Sequence, residues 1–190
     1  YLKTLMDLDI LERRVPVTEE NPEKSKRGLY KIKDNYLRFW FAFIYPNMSF
    51  IESGHSGIVM DKLRRGLTTN HIGFVYEDIC QERMWELNAN NAWPFHFSKL
   101  GGYWDAKNEI DIAALDPEGK NLILGECKYW KEPVGLNVLH ALEAKACDVA
   151  WERDRRKVWY VLFSISGFSD ELRNHAATRD DLLLIDDGGR

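Results

Sequence analysis

One segment, residues 108–129, constrains the fold of this 190-residue chain more than any other. It holds two apolar, β-prone runs on either side of the sequence Asp-Pro-Glu-Gly, and a Pro-Gly turn between such runs is typical of an antiparallel hairpin. We place the turn at residues 116–119, so that Leu115 pairs with Lys120. The segment therefore predicts two paired antiparallel strands.

Charged side chains gather near one end of this hairpin. The predicted pairing sets Asp111 opposite Leu124, and directly opposed residues share a face of a sheet. Because side chains alternate along a strand, Glu126 and Lys128 project to the same side as Asp111. Charges next to a core cost several kcal/mol unless they are paired or bound to a metal. We therefore expect a site here, the alternative being a surface hairpin with an ordinary salt bridge between Glu126 and Lys128.

Two carboxylates and an ammonium in this arrangement suit one chemistry well. Carboxylate oxygens hold hard divalent cations such as Mg²⁺, which keep several of their waters. A nearby lysine orients or helps to deprotonate an attacking water and neutralises charge on a phosphoryl oxygen. We expect Asp111 and Glu126 to bind Mg²⁺ or Mn²⁺, and Lys128 to position the water.

The motif resembles that of the PD-(D/E)XK nuclease superfamily. It consists here of Glu-Ile-Asp at 109–111, fourteen residues, and then Glu-Cys-Lys at 126–128. Ile110 takes the place of the family's proline, at a position that varies within the superfamily. The resemblance implies an α/β restriction-endonuclease-like core, in the order helix, three-stranded meander, helix, strand. It also implies metal-dependent hydrolysis of phosphodiester bonds, with DNA or RNA as the partner.

The sequence after residue 69 supplies elements in that order. The predicted elements are a helix at 70–87, a strand at 92–100 before a Gly-Gly break, the hairpin, a helix at 136–151, a strand at 157–164, a helix ending near 176 and a strand at 182–185. The run at 157–164 is almost unbroken in its apolar character, as expected of a strand that is covered on both faces.

Two further polar residues lie on these predicted helices. Glu77 lies beside the apolar face of the first helix, where an acidic residue of the superfamily often completes the metal site. The resemblance therefore implies that Glu77 assists Asp111 and Glu126, the alternative being an ordinary solvated glutamate. Lys145 lies on the helix after the hairpin, where many members of the superfamily place an accessory polar residue.

The front of the chain has a different organisation. Residues 1–34 predict a helix followed by a β-hairpin with a polar tip, which is the back half of a winged helix. Residues 35–68 are predicted to form a helical connector that opens with an aromatic helix capped by Asp34, and residues 69–190 form the nuclease-like domain. The wing tip mixes lysines with glutamates, so contact with DNA and packing within a larger protein both stay open.

The run from Leu8 to Trp40 carries a second resemblance, which extends over nearly the whole chain. It is similar to the C-terminal part of an archaeal-type AAA/STAND-like ATPase family, in which a P-loop ATPase domain precedes a winged helix and a PD-(D/E)XK-like domain of uncharacterised function. Because the chain opens on Tyr1 and contains no GxxxxGK[ST] sequence, we expect a piece of a longer protein, with an upstream ATPase domain as a partner and no ATP site of its own. The second hypothesis is a nuclease-fold module without turnover, which recognises nucleic acid or a partner and regulates that ATPase.

Composition sets the remaining expectations. Apolar residues make up 45% of the chain, which indicates a folded globular protein. A net charge of −4 excludes a basic nucleic-acid coat protein, although clustered carboxylates would themselves make a nuclease acidic. The three cysteines lack CxxC spacing and no long apolar run is present, so we expect a cytoplasmic protein without a membrane span. The scattered histidines do not predict a zinc site.

Overall fold

The computed structural model of the protein describes residues 1–188, without the side chains of residues 69 and 70. Its contacts divide the chain into two units, the first of residues 1–14 and 28–75 and the second of residues 15–27 and those from 76 onward. The predicted boundaries at 34/35 and 68/69 stay predictions. Residues 189 and 190 of the predicted third domain lie outside the described part.

The first unit consists of short helices and one β-hairpin. Its elements are α1 (Leu2–Asp7), β1 (Leu11–Arg14), β2 (Leu29–Ile32), α2 (Asn35–Phe39), α3 (Met48–Glu52) and α4 (Ser56–Leu67). β1 and β2 pair antiparallel, as the sequence predicts for the hairpin. The Asp34 carboxylate accepts a hydrogen bond from the Leu37 amide at 2.8 Å and so caps α2. The predicted aromatic helix then changes to a π-helical turn at Trp40–Ile44 and a 3₁₀ turn at Tyr45–Asn47, which contains a proline.

The second unit is a mixed α/β structure around one five-stranded sheet. Its elements are α5 (Gly73–Ala89), of which residues 73–75 belong to the first unit, β3 (Lys99–Trp104), β4 (Glu109–Leu115), β5 (Asn121–Lys128), α6 (Leu136–Asp148), β6 (Lys157–Ser164), α7 (Asp170–Ala176) and β7 (Leu182–Asp186). The strand order is β3-β4-β5-β6-β7, antiparallel from β3 to β5 and parallel from β5 to β7. None of the helices within residues 1–188 has both the length and the apolar character needed to cross a bilayer.

Both faces of this sheet are covered. On one face the strands pack against apolar residues of α6 and α7, among them Leu139 and Leu172. On the other face they pack against α5, through Cys80 and Met84 among others. β6 contributes side chains to the apolar clusters on both faces of the sheet, which is why its sequence is apolar on both sides. Its observed bounds are those predicted from the sequence.

The strand predicted at 92–100 was placed wrongly. β3 begins only at Lys99 and runs through the glycine pair to Trp104. The side chain of Asn88 explains the late start, because its amide group donates to the Phe97 carbonyl and its oxygen accepts from the Phe97 amide, both at 3.1 Å. With both backbone groups of Phe97 bonded to a helix side chain, this stretch does not join the sheet.

The predicted register of the hairpin was wrong by two residues. Leu115 pairs with Leu122 and not with Lys120. The carboxylate of Asp116 widens the loop, since it accepts hydrogen bonds from the Lys120 amide at 3.0 Å and from the Asn121 side chain at 2.6 Å. A shift of two residues leaves every side chain on its predicted face, because the period of a strand is two.

Gly125, directly before the predicted Glu-Cys-Lys motif, allows β5 to approach its neighbours closely. A Cβ atom there would lie 2.6 Å from Val161 Cγ1, 2.9 Å from the Val161 carbonyl oxygen and 3.2 Å from Ile112 Cβ. Since a carbonyl oxygen of β6 cannot move without disturbing the β5–β6 ladder, we expect Gly125→Ala to lower the free energy of unfolding by about 1–3 kcal/mol or more. Urea unfolding measures this.

Gly57 on α4 provides the control for this substitution. A Cβ atom at Gly57 would meet nothing within 4 Å, so Gly57→Ala is expected to leave stability unchanged or to raise it by up to about 1 kcal/mol. Wild-type stability of Gly125→Ala would contradict the close approach of the two strands.

Candidate active site

Asp111 lies at an irregularity of β4. Between Gly101 and Tyr103, β3 advances by two residues while the paired stretch of β4 advances by three, so β4 carries one extra residue here. Bulges of this kind re-aim a side chain and are frequent next to active sites. Asp111 Oδ2 accepts a hydrogen bond from the Cys127 amide of β5 at 2.8 Å, which fixes the carboxylate against the neighbouring strand.

Glu126 and Lys128 occupy the end of β5. They are two residues apart and therefore project to the same face. The observed register, continued one step beyond the Ile112–Gly125 pair, places Glu126 beside Asp111 in place of the predicted Leu124.

The Lys128 ammonium joins the two carboxylates. It donates a short hydrogen bond to Glu126 Oε2 and lies 3.5 Å from Asp111 Oδ2. The structure thus brings together three of the four residues predicted from the sequence as a site.

A second lysine completes this cluster from the helix above it. Lys145 of α6 donates to Glu126 Oε1 at 2.6 Å and to the Glu109 carbonyl oxygen at 2.7 Å. Both oxygens of Glu126 are therefore bound by ammonium groups. The resemblance implied only an accessory role for Lys145. Its position three residues after Leu142, on the buried stripe of α6, was a signal that its head group reaches the sheet.

Glu77 lies on a different side of the site. It belongs to α5, which covers the sheet face that includes Cys127, whereas Lys145 reaches Glu126 from α6 on the other face. One helical turn after Glu77, the Gln81 amide lies 3.5 Å from the Asp111 carbonyl oxygen, so this part of α5 lies over the bulge. The assignment of Glu77 as a ligand stays a prediction.

The surroundings shift the pKa values of the two carboxyl groups in opposite directions. Burial, followed by the negative charge of Glu126, raises the pKa of Asp111, and Lys128 offsets only part of this effect. Burial also disfavours ionisation of Glu126, but Lys128 and Lys145 outweigh it and the net effect is a lowered pKa. Burial acts against the charge of Lys128 as well, yet the two carboxylates raise the pKa of its ammonium. Glu126 and Lys128 are thus stabilised in their charged forms, while ionised Asp111 is not.

The oxygen donors of Asp111 and Glu126 bear on the predicted cation. Within residues 1–188, no group of three or more His, Cys, Asp or Glu side chains converges in an arrangement that would hold a metal ion. Asp111 and Glu126 nevertheless provide two hard oxygen donors next to each other. Mg²⁺ is commonly held by only one or two carboxylates, with waters and substrate phosphates as the other ligands. The residues present therefore fit a cation of this class.

Comparison with known sequences places the chain in a family. Residues 40–147 match DUF234, whose members are archaeal and bacterial proteins of unknown function. The chain belongs to this family. The matched range contains α5, the hairpin and Lys145, and so includes every residue of the candidate site.

One relative and two solved structures illustrate what the chain is similar to. An uncharacterized protein of Methanocaldococcus jannaschii is 40% identical over 132 residues, which cover 70% of this chain and 29% of that protein. The chain thus spans less than a third of that relative. A repair endonuclease from Pyrococcus abyssi matches 56% of this chain and 45% of its own, with a TM-score of 0.34 and 10% identity. A complex of EndoMS with double-stranded DNA matches 56% of this chain and 44% of its own, with a TM-score of 0.34 and 14% identity. Similarity at this level carries no argument about the activity of the chain.

The unequal environments predict opposite effects of two isosteric substitutions on stability. Glu126 has a lowered pKa, so its ionised form stabilises the fold above the unfolded pKa, and this contribution is lost as the pH falls through the folded value. Asp111 has a raised pKa, so its ionised form opposes folding at neutral pH. At pH 7 we expect Glu126→Gln to lower the free energy of unfolding by about 1–3 kcal/mol and Asp111→Asn to leave it unchanged or raise it by up to about 1 kcal/mol.

Urea unfolding followed by tryptophan fluorescence measures both variants. The deficit of Glu126→Gln should shrink as the pH falls through the lowered pKa of folded Glu126, because the wild-type carboxylate then becomes protonated as well. A destabilised Asp111→Asn together with an undisturbed Glu126→Gln would contradict this description of the site.

Proposed function

We propose that this chain is the nuclease-like part of a larger protein and hydrolyses phosphodiester bonds of DNA or RNA with the help of Mg²⁺ or Mn²⁺. One observation carries the proposal: Asp111 and Glu126 lie side by side on adjacent strands and share the ammonium of Lys128. A protein that used the hairpin only as structure would have little reason to place a buried and a partly buried carboxylate side by side at a bulge.

The arrangement of the elements supports assignment to the PD-(D/E)XK fold. α5 precedes the antiparallel strands β3, β4 and β5, and these are followed by α6 and the parallel strand β6. This is the order that the motif implied. The helix and hairpin at the front of the chain, α1 with β1 and β2, support the assignment of residues 1–34 to a partial winged helix.

In this proposal Asp111 and Glu126 hold the cation, and Glu77 assists from α5. When bound, the metal supplies a Lewis acid for a phosphoryl oxygen and lowers the pKa of a water. The raised pKa of Asp111 is consistent with such a role, because a carboxylate that lacks full compensation for its charge gains most from a nearby cation.

The two lysines have different roles. The raised pKa of Lys128 keeps its ammonium protonated at neutral pH, so it acts as a hydrogen-bond donor that orients water and neutralises phosphoryl charge, and not as the base. Lys145 holds Glu126 Oε1 and is tied to the Glu109 carbonyl, so it is a positioning residue that fixes the Glu126 carboxylate.

The larger protein is the second part of the proposal. The matched Methanocaldococcus jannaschii relative extends far beyond the shared region, because only 29% of it is covered. This leaves room for the upstream ATPase domain that the resemblance implied. We propose that domain as the partner of the chain, and nucleic acid as the ligand of its site.

A specific observation favours a second candidate function. The two carboxylates and two ammonium groups of the cluster sum to zero charge, and both oxygens of Glu126 already have ammonium partners. Such a cluster is also what a nuclease fold would retain after losing turnover. The second candidate is therefore a module without catalysis, which recognises nucleic acid or a protein and regulates the attached ATPase.

A cleavage assay separates the two candidates. Supercoiled plasmid, single-stranded DNA and RNA are incubated with the protein in Mg²⁺ and in Mn²⁺, as wild type and as Asp111→Asn. We expect the substitution to reduce cleavage by at least about 100-fold, the scale on which loss of one charge-stabilising group acts. Glu118→Gln, which changes an exposed carboxylate of the β4–β5 loop paired only with Lys120 among the described residues, is expected to cleave like wild type.

Two results would count against hydrolysis at this site. Cleavage that survives Asp111→Asn would show that the activity lies elsewhere or in a contaminant. Absence of cleavage, even from a full-length relative supplied with ATP, would favour the module without turnover.

A further inference from the structure

Trp130 is an exposed aromatic side chain directly beside the candidate site. Among the described residues of the second unit, the large apolar side chains left exposed are Ile79, Trp85 and Trp130. Trp85 packs on the Phe97 ring, with centroids 4.9 Å apart. Trp130 instead keeps 45% of its surface accessible, and its ring centroid lies 5.7 Å from the Lys128 ammonium that joins the two carboxylates.

The backbone around Trp130 is held in place. The Ser166 hydroxyl donates to the Trp130 carbonyl oxygen. Before Trp130, the Lys128 carbonyl accepts from the Ile165 amide at 3.4 Å, and after it the Val134 amide donates to the Gly167 carbonyl at 2.9 Å. All three bonds go to the segment that follows β6, so the tryptophan is presented from a fixed connection between β5 and α6.

Tyr129, the residue before Trp130, shows that an aromatic ring in this connection can be packed against the fold. Tyr129 packs its ring against Tyr76 of α5, with centroids 5.7 Å apart. Burial of an aromatic ring is strongly favourable. The Lys128 ammonium lies over the Trp130 ring, and the indole still keeps accessible surface on which a ligand can pack. The groups next to the ring indicate the class of ligand.

The neighbouring Lys128 ammonium suits a ligand that carries a phosphate group. In the proposed function Lys128 contacts a phosphoryl oxygen, and a nucleotide bound there carries its base within reach of a ring 5.7 Å from the ammonium. Indole is an effective stacking surface for every nucleobase, because all of them present a π-face. A base in the interior of a duplex already has neighbours on both faces, so within a duplex only an unpaired base can stack on Trp130.

We propose that Trp130 stacks on an unpaired base next to the phosphate held at the site, and that the substrate is single-stranded or locally unpaired nucleic acid. This inference rests on the proposed function for the position of the phosphate. It specifies the strand state of the substrate, which the carboxylates and lysines alone do not.

Binding measurements test the inference independently of cleavage. Anisotropy of three labelled ligands is recorded in Ca²⁺: a dT oligonucleotide, a strand of the same length without bases, and a blunt duplex. Trp130→Ala is expected to weaken binding of the dT strand by about 5- to 100-fold, and Trp130→Phe to restore most of it. Neither substitution should change binding of the abasic strand or of the duplex.

Trp85→Ala is the matched control, because Trp85 is almost equally exposed, at 46%, but its ring packs on Phe97, whereas Lys128 lies over the ring of Trp130. It should bind all three ligands like wild type. Thermal unfolding of each variant verifies that the fold is intact, and Trp130→Phe keeps the test decisive if Trp130→Ala is unstable.

The outcomes separate this inference from the proposed activity. Unchanged binding of dT by Trp130→Ala overturns the inference, and so does an equal loss for the abasic strand, since the ring would then only shape the backbone. Cleavage that depends on Asp111 but not on Trp130 overturns the inference and leaves the proposed function standing. Binding that depends on Trp130 without any cleavage supports the inference and counts against hydrolysis. No binding of any of the three ligands overturns both.

Discussion

The carboxylate of Glu126 is only 5% exposed, and a charge at that depth is tolerated only when opposite charges and hydrogen bonds accompany it. Lys128 and Lys145 meet that requirement, and by doing so they connect β5 to α6 and, through Asp111, to β4. The strand end, the bulge and the helix above it are therefore organised around one buried charge. In the proposed function this same requirement brings the catalytic groups together.

The cluster also shows where stability and function oppose each other. Asp111 is partly buried next to a carboxylate that already has two ammonium partners, and burial together with that negative charge raises the pKa of Asp111. A side chain chosen for stability alone would be neutral here. An aspartate at this position is understandable if a cation or a substrate supplies the missing compensation, and this links the local electrostatics to the proposed chemistry.

The sequence predicted correctly those features that depend on residues close together in the chain. Alternation along a strand placed Asp111, Glu126 and Lys128 on one side even though the register was predicted two residues out, because a shift of two preserves the face. Other features depend on contacts between distant residues and were missed for that reason. The late start of β3 comes from the Asn88 side chain, and the ion pair of Lys145 with Glu126 joins residues 19 apart. Composition and periodicity do not predict contacts between side chains that are distant in sequence.

The presence of a divalent cation between Asp111 and Glu126 is the claim on which the account depends most. It is tested most directly by anomalous diffraction from crystals of the protein equilibrated with millimolar Mn²⁺. We expect a manganese peak within coordination distance of both carboxylates, with Glu77 or waters completing the shell. A well-ordered site without such a peak, with both lysines still bound to Glu126, would contradict it and would leave the cluster as a charge-neutral support of the fold.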